Sequence, residues 1–577
     1  MVVSSFKLPV EYSNHKQCID QHTIIDLELV ATPSVKSLYD MVFAPNTEFG
    51  KQTIHLWSKY FTTDVMLLTD SQKLIKNGNA KICVDNKIQG DILQIKTDIL
   101  EDKSFLEKYG YIEWKKFQSL NENSTILQCI SVYNLASPIL ALIMPIIVFT
   151  IPLIALKCRG VPISLNSYIQ LLKTIMKGHQ LSKMFDIGKM STDKIIYACA
   201  SLFFYLVQIY QNIKSCQMFL CNNKIIHRNI KIIKEYLMQN NLVMESMINK
   251  CSNLKSYAKF VDSIKLHKKE LELTTNMLST INDNKIGINS VCQIGYVLKC
   301  YYHIFKNNTF HNSLWYSFDL NGFNDNLNGL YSNIRRKILG SCKYKNSIVK
   351  FKDAYFPVIS GKTVYNSYKL DRHLILTGPN ASGKTTLLKA TIFNVILSQQ
   401  IGFGFYKSAI INPYDTINCY INIPDTSARD SLFQSEARRC KTILSKIDEY
   451  DKSVMTNPPS KRRHLCVFDE LFSGTNPYEA ISSAYAFLFY LNTNENVNFV
   501  LTTHFINLCA MFTDTPYVHN FHMVTSSTTA GDIEYTYKIE NGISNIKGGV
   551  KILEKLDFPK EIIEMTNSVL QQIDIFV

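Results

Sequence analysis

Residues 373–398 read as a short apolar run, HLILT, then the glycine turn Gly378-Pro379-Asn380-Ala381-Ser382-Gly383, then a helix-forming run from Lys384. A strand that hands over to a helix within six residues folds that helix back onto its own sheet. The pattern recurs in LCVFDE at 465–470 and FVLTTH at 499–504, with helical stretches between. From about residue 346 onward this predicts a mostly parallel sheet with helices on both faces. Upstream, DLELVATPSVKSLYDMVF and QTIHLWSKYF carry apolar residues at three- and four-residue spacing, which predicts helices. Long helical patterns continue through the polar, Lys-rich segment 214–335.

The turn matches G-x-x-x-x-G-K-[ST], and its strand-before, helix-after context is the one that pattern requires. Its glycines let backbone N–H groups curl around phosphates at a helix N-terminus. Residues Gly378, Pro379, Asn380, Ala381, Ser382, Gly383, Lys384, Thr385 and Thr386 are therefore candidate nucleotide-binding residues. Lys384 is expected at the β- and γ-phosphates and the Thr385 hydroxyl on Mg²⁺. The run at 465–470 ends in two carboxylates. Asp469 is expected to help hold Mg²⁺ and Glu470 to polarise the attacking water. His504, at the end of the next apolar run, is placed to reach the γ-phosphate.

These residues resemble one family, the MutS ATPases. TGPNASGKTT is similar to the family's phosphate loop, FDELFSGTNPYEA to the segment after its acidic strand, and LTTHF to its threonine-histidine segment. IGFGFYKSAIINPYDTINCYINIPD and NGISNIKGGVKILEKLDFPKEIIEMTNSVL resemble flanking stretches of the same family. Ser431-Leu-Phe-Gln-Ser-Glu436 is similar to its S-[TL]-F-x-x-E segment. The resemblance implies that Ser431 acts in trans, facing the nucleotide of a partner subunit. Asn476 either lies near that partner site or caps the helix that starts at Pro477. Nearer the N-terminus, NTEFGKQTIHLWSKYFTTDVMLLTDSQKLI is similar to the start of the MutS core, with Gly50 and Trp57 at matching places. No mismatch-recognition domain precedes that core and no usable F-x-E wedge is found, so ordinary mismatch reading is not expected. An ABC-type ATPase shares the phosphate loop, but its LSGGQ segment is missing.

The fold class implied is multidomain: an all-α core and lever region followed by an ABC-like, MutS-type α/β P-loop ATPase domain. The boundaries are a helical core start at 1–125, an apolar insertion at 126–213, levers at 214–345, and the ATPase with dimerisation helices at 346–577. The function implied is an ATPase, with Mg²⁺, working as a homodimeric ATP-driven clamp on DNA in repair or recombination. Charge agrees with a DNA partner: 41 basic and 26 acidic residues fall in 1–350, against 21 and 22 in 351–577. Arg438, Arg439 and Lys461-Arg462-Arg463, the basic clusters of the second half, read as solvated loop charge.

The insertion leaves an alternative open. LASPILALIMPIIVFTIPLIAL at 135–156 has no charge and prolines at 138, 145 and 152; Ile195–Ile213 is a second uncharged run. Both are long enough to enter a membrane. The connection 157–194 carries seven basic and two acidic residues, against the positive-inside tendency for a two-pass hairpin. A membrane hairpin, a shallow wedge and a buried helical core all fit. So the alternative function is a membrane-associated ATPase or scaffold that does not act on DNA. Fifteen scattered cysteines without a C-x-x-C pair, and no apolar leader, suggest an intracellular protein of cytoplasm or nucleus. Cys300 and His303 form a lone C-x-x-H with no second half, so no structural metal is expected.

Overall fold

The computed structural model describes residues 5–576 apart from 31–36, 79–81, 101–103, 161–163, 165, 171–191, 282–291, 347, 358–362, 422–430, 453–461, 528–532, 545–549, 551–552 and 555. Lys461 and most of the connection 157–194 lie outside the described residues. Contacts divide the chain into two compact units. One comprises Met1–Cys83, Leu242–His267 and Trp315–Val577; the other comprises Val84–Asn241 and Lys268–Leu314. Residues 1–83 therefore share a unit with the α/β segment.

In the first unit, β1 (Lys16–Cys18) pairs antiparallel with β2 (Tyr60–Thr62). The other strands are β3 (Gly340–Tyr344), β4 (Lys350–Ala354), β5 (Asn366–Lys369), β6 (His373–Thr377), β7 (Phe403–Gly404), β8 (Ser408–Ile411), β9 (Thr416–Tyr420), β10 (His464–Asp469), β11 (Val497–Thr503), β12 (Val518–Ser527) and β13 (Ile533–Asn541). They form a smaller sheet in the order β5-β4-β8-β3-β7 and a larger one in the order β13-β12-β6-β11-β10-β9. The larger sheet is parallel except for β13. Strand β6 is buried at every residue and β10 at all but Asp469, as expected for strands covered on both faces. The register pairs Asp469 with Thr502 and Thr503 with Thr377. The carboxyl ends of β6, β10 and β11 are thereby brought level.

The helix Lys384–Gln400 follows β6 and is buried almost all round, polar residues included. Those polar groups are paired. Gln400 accepts from the Tyr39 hydroxyl at 3.0 Å and donates to the Tyr60 carbonyl at 2.9 Å. Gln399 donates to the Tyr414 carbonyl, and Asn394 accepts from the Phe405 N–H. Buried amides matched in this way fix how residues 1–83 seat on the helix. The same N-terminal segment also holds the helix Asn308–Arg335, whose Asp325 accepts from the Asn46 and Thr47 N–H groups and the Thr47 hydroxyl. A side chain at Gly50 would collide with the Asp325 carboxylate, so this close approach requires glycine.

Arg439, Arg462 and Arg463 are not solvated loop charge. Arg439 reaches Asp20 at 3.1 Å and the Cys419 carbonyl at 2.7 Å; Lys446 reaches Asp20 at 2.7 Å. Burial pushes the Asp20 carboxyl up, but Lys446 and Arg439 outweigh it and leave it below its ordinary value. Arg462 pairs with Asp415 at 2.9 Å, and Arg463 stacks over the Tyr414 ring. The expectation of solvated charge fails here because acidic partners distant in sequence fold against these arginines. Arg438 is exposed.

The second unit is helical, with a core of rings: Phe105 stacks on Phe305 with centroids 3.9 Å apart and on Tyr111 at 5.6 Å. Cys300 is buried in this core and its thiol is pushed up to about 11 by burial. The helix Ser124–Cys158 crosses the helix Ile294–Lys306 at Gly295, whose N–H donates to Gln128 at 2.7 Å. The apolar runs lie on this helix and on Thr192–Cys251. Among the described residues the buried-core expectation for them is overturned: Ile139, Leu142, Met144, Ile146, Ile151 and Ile154 are exposed, as are Ile196, Phe203, Phe204 and Leu206. The two helices touch each other, through the Tyr205 hydroxyl and the Ala141 carbonyl at 2.9 Å, and their outer faces stay open.

Candidate functional site

The glycine turn sits between the end of β6 and the helix Lys384–Gln400. Gly383 has φ +96° and serves as the helix N-cap, a conformation open to glycine at little cost. Ala381 also has positive φ, at 62°. The Ser382 hydroxyl is buried in the loop without a hydrogen-bond partner. An orphan hydroxyl beside a helix N-terminus fits a phosphate oxygen. Lys384 is buried, and its ammonium donates to the Gly378 carbonyl at 3.0 Å and the Pro379 carbonyl at 3.2 Å. Burial pulls its pKa down, against the raising influence of Glu470 and Asp469.

The level strand ends bring the remaining groups to this loop. Thr385 donates from its hydroxyl to Asp469 Oδ2 at 2.8 Å, and Thr502 donates to the other carboxylate oxygen. Glu470 has φ 53°, a left-handed backbone held by its N–H bond to the Thr502 carbonyl at 3.0 Å. His504 Nε2 is 2.8 Å from Glu470 Oε1 and 3.1 Å from Lys384 Nζ. One nitrogen cannot donate to the carboxylate and accept from the ammonium together. The contact with His504, opposed by burial and aided by Lys384, holds the Glu470 carboxyl below its ordinary value. Lys384 is also served by its two carbonyls.

Ser431 is exposed just before the helix Leu432–Lys452, where its hydroxyl accepts from the Gln434 N–H at 3.4 Å. It is not among the groups gathered around Lys384. Glu436, one turn on, is buried and accepts from the Ser473 N–H and hydroxyl and the Gly474 N–H, at 3.0–3.2 Å. This carboxylate ties the S-x-F-x-x-E segment to the loop directly after Glu470. Asn476 caps the helix Pro477–Asn492 by accepting from the Glu479 N–H at 3.0 Å. Thr502 and the clamp made by Glu436 were not singled out from the sequence. Glu436 was legible only as the last residue of the resembled segment. Tyr537 of β13 and Met523 of β12 also flank the loop, against Gly383 and Gly378. Nothing in their local pattern marks them.

Fold and site together define a parallel-sheet α/β protein with a glycine phosphate-loop motif and paired carboxylates at a neighbouring strand end. Residues 374–574 match the family model described as MutS domain V. Over 238 residues, 40% of this chain and 26% of the relative, it is 24% identical to a DNA mismatch repair protein MutS of Leuconostoc mesenteroides. A protein of the same description from Bartonella henselae is 27% identical over 201 residues, 35% of this chain and 20% of the relative. One from Bacteroides fragilis is 27% identical over 242 residues, with 40% and 26% covered. The matches span about a quarter of the length of these relatives. Over residues 374–574 the chain thus carries a domain of the MutS type.

Proposed function

We infer that the chain hydrolyses ATP and acts as a dimeric, ATP-driven clamp on DNA, in repair or recombination without ordinary mismatch reading. The observation that supports this best is the meeting of Lys384, Thr385, Asp469, Glu470 and His504 at the ends of three strands. The Thr385 hydroxyl and Asp469 carboxylate are oxygen ligands of the kind Mg²⁺ takes. Bound there with ATP, Mg²⁺ supplies charge neutralisation at the phosphates.

The loop amides and Lys384 hold the β- and γ-phosphates; in exchanging its carbonyl partners for phosphate oxygens, Lys384 regains a charge partner inside the site. Glu470 orients a water at the γ-phosphorus and takes its proton as the new P–O bond forms and the β–γ bridge breaks. His504 leaves Glu470 for a γ-phosphate oxygen, which frees the carboxylate for that water. ADP and phosphate are released. Ser431, exposed ahead of the helix Leu432–Lys452, would complete the site of a partner subunit. The DNA role draws on the names of the relatives and on the basic excess in residues 1–350.

The deciding experiment measures ATP hydrolysis by the full chain without DNA and with single-stranded, duplex and branched DNA, across salt. The expected result is a DNA-dependent rate, with affinity falling at a log–log slope of about −0.9 per duplex phosphate contacted. Hydrolysis indifferent to every DNA would remove the clamp and favour the membrane or scaffold reading. No hydrolysis in any condition would sink the ATPase reading itself.

A further inference from the structure

The helix Ser124–Cys158 changes character along its length. In its first two turns Leu127 and Ser131 are buried. From Val132 on, most of the described apolar side chains are exposed: Ile139 is 59% exposed and Ile146 also 59%. The helix Thr192–Cys251 makes the mirror-image change, with Phe203 and Phe204 at 63% and 69% exposed while Phe219 and Ile226 are buried. The contact of Cys216 with the Leu135 carbonyl, at 3.8 Å, links the helices close to where both change.

Exposure is not confined to one stripe. At 100° per residue, Ile139, Leu140, Leu142, Ile143, Met144 and Ile146 cover an arc of about 200° around the axis, and all six are exposed; Ala141, on the remaining side, meets the neighbour helix through its carbonyl. A second copy or a protein partner would cover one side and leave the others in water. With the neighbour helix on the remaining side, the open surface of the pair is a broad apolar one, which a surrounding apolar solvent covers more fully than a single flat partner surface. Length agrees. The uncharged run 135–156 rises about 33 Å as a helix, against about 30 Å of bilayer hydrocarbon. Prolines at 138, 145 and 152 free carbonyls one turn back, and side chains take up two of them: Asn134 accepts from the Ser137 hydroxyl and Ala141 from the Tyr205 hydroxyl, the kind of repair that lets membrane helices tolerate proline. The ends carry cations: Lys157 and Arg159 close the first helix, and Lys214 ends the uncharged run of the second. Ahead of the first helix, Trp114 and Phe117 bracket Lys115 and Lys116, with Trp114 74% exposed. Exposed aromatics beside lysines suit an anionic headgroup layer.

We propose that the pair formed by residues 132–158 and 195–213 is embedded in an anionic lipid bilayer, anchoring the second unit to a membrane. The proposal stands apart from the ATPase reading, since no residue of the nucleotide site enters it.

Full-length protein, purified in mild detergent, is mixed with vesicles of phosphatidylcholine alone or with 30% phosphatidylglycerol. The detergent is removed and the vesicles are floated on a density gradient. Flotation should persist through 1 M salt and alkaline carbonate, with more protein recovered on the anionic vesicles. Leu142→Lys with Ile146→Lys should cut flotation at least tenfold. Both positions are exposed, so its thermal melt in detergent should match wild type; an early melt shifts the decision to wild type. There, quenching of tryptophan fluorescence by lipids brominated near the headgroup gives a readout without substitution. Quenching of Trp114, lost in Trp114→Leu, is expected. Wild-type protein left at the bottom of the gradient, whether monomeric or self-associated without detergent, would overturn the proposal. So would flotation abolished by 1 M salt, which would mean surface charge alone. ATP hydrolysis is not read at any step, so failure here leaves the nucleotide site untouched.

Discussion

Two helices of this chain treat their surroundings in opposite ways. Lys384–Gln400 carries Lys384, Thr391, Asn394, Ser398, Gln399 and Gln400, yet all six are buried. Ser124–Cys158 has Lys157 as its first charged residue, yet most of its described apolar side chains beyond Val132 are exposed. Composition alone would have exchanged their places. The first is buried because each polar group meets a partner: Gln400 with Tyr39 and Tyr60, Asn394 with Phe405, Gln399 with Tyr414. Beyond Val132 the second meets its neighbour helix at Tyr205 and Cys216, and among the described residues its outer face stays open. What decides burial is the supply of partners, and an apolar surface without them calls for another medium.

The largest test of the contrast lies at the site the buried helix serves. Glu470→Gln should lower ATP hydrolysis by about 10²-fold or more while nucleotide affinity stays within a few fold, read by single-turnover kinetics and equilibrium binding. Wild-type hydrolysis would remove Glu470 as the base. Next is pH. His373 is buried against Phe499, accepts the Phe499 N–H on Nδ1 and contacts Asn492 through Nε2, a neutral ring. Burial, only partly offset by Asn492, pulls its pKa down to about 4. Between that value and the ordinary 6.5 the unfolded chain binds more protons. Stability should therefore fall as pH drops from about 6.5 towards 4, by about 3 kcal/mol in all. Urea midpoints of wild type and His373→Phe across this range check it; parallel profiles would refute the assignment.

Gln400→Leu keeps the volume and strips this partner from Tyr39 and Tyr60. It should cost about 2 kcal/mol in denaturant unfolding, because the Tyr60 carbonyl loses this donor and the Tyr39 hydroxyl keeps only its longer bond to the Trp57 carbonyl. Glu436→Gln keeps shape but weakens the hold on Ser473 and Gly474, so hydrolysis should drop about tenfold with little loss of nucleotide affinity. A drop in affinity alone would make Glu436 part of binding instead of positioning. Smallest of all, Ile139→Gln should change stability in detergent by under about 0.5 kcal/mol, since the side chain is mostly exposed. A cost near that of Gln400→Leu would break the contrast.

Much of the site could be read in the sequence because its residues are local. Gly378–Thr386 is one turn, Asp469-Glu470 one strand end, and His504 the residue after another. Their spacing carries the chemistry. The strand-helix alternation likewise disclosed the larger sheet. What escaped was non-local. Asp20 pairs with Arg439 and Lys446 across more than 400 residues, and nothing near Arg439 announces it. Thr502 hides within an apolar strand, and the smaller sheet β5-β4-β8-β3-β7 is built from strands too short to show a period. The apolar runs were visible as apolar; their exposure was not, because exposure depends on what else folds over them.

The bond from Tyr39 to Gln400 joins residues 361 positions apart. At a synthesis rate of about 5–20 residues per second, Tyr39 leaves the ribosome roughly 20–70 s before its partner exists. During that wait Tyr39, Phe43 and Trp57, fully or nearly fully buried in the finished unit, have no core to enter. The order of translation thus gives the nascent chain an aggregation-prone interval that ends only when the helix Lys384–Gln400 emerges. A chain released before residue 400 would keep that aromatic surface permanently, and should be recovered with chaperones or as aggregate, whatever the stability of the full-length protein.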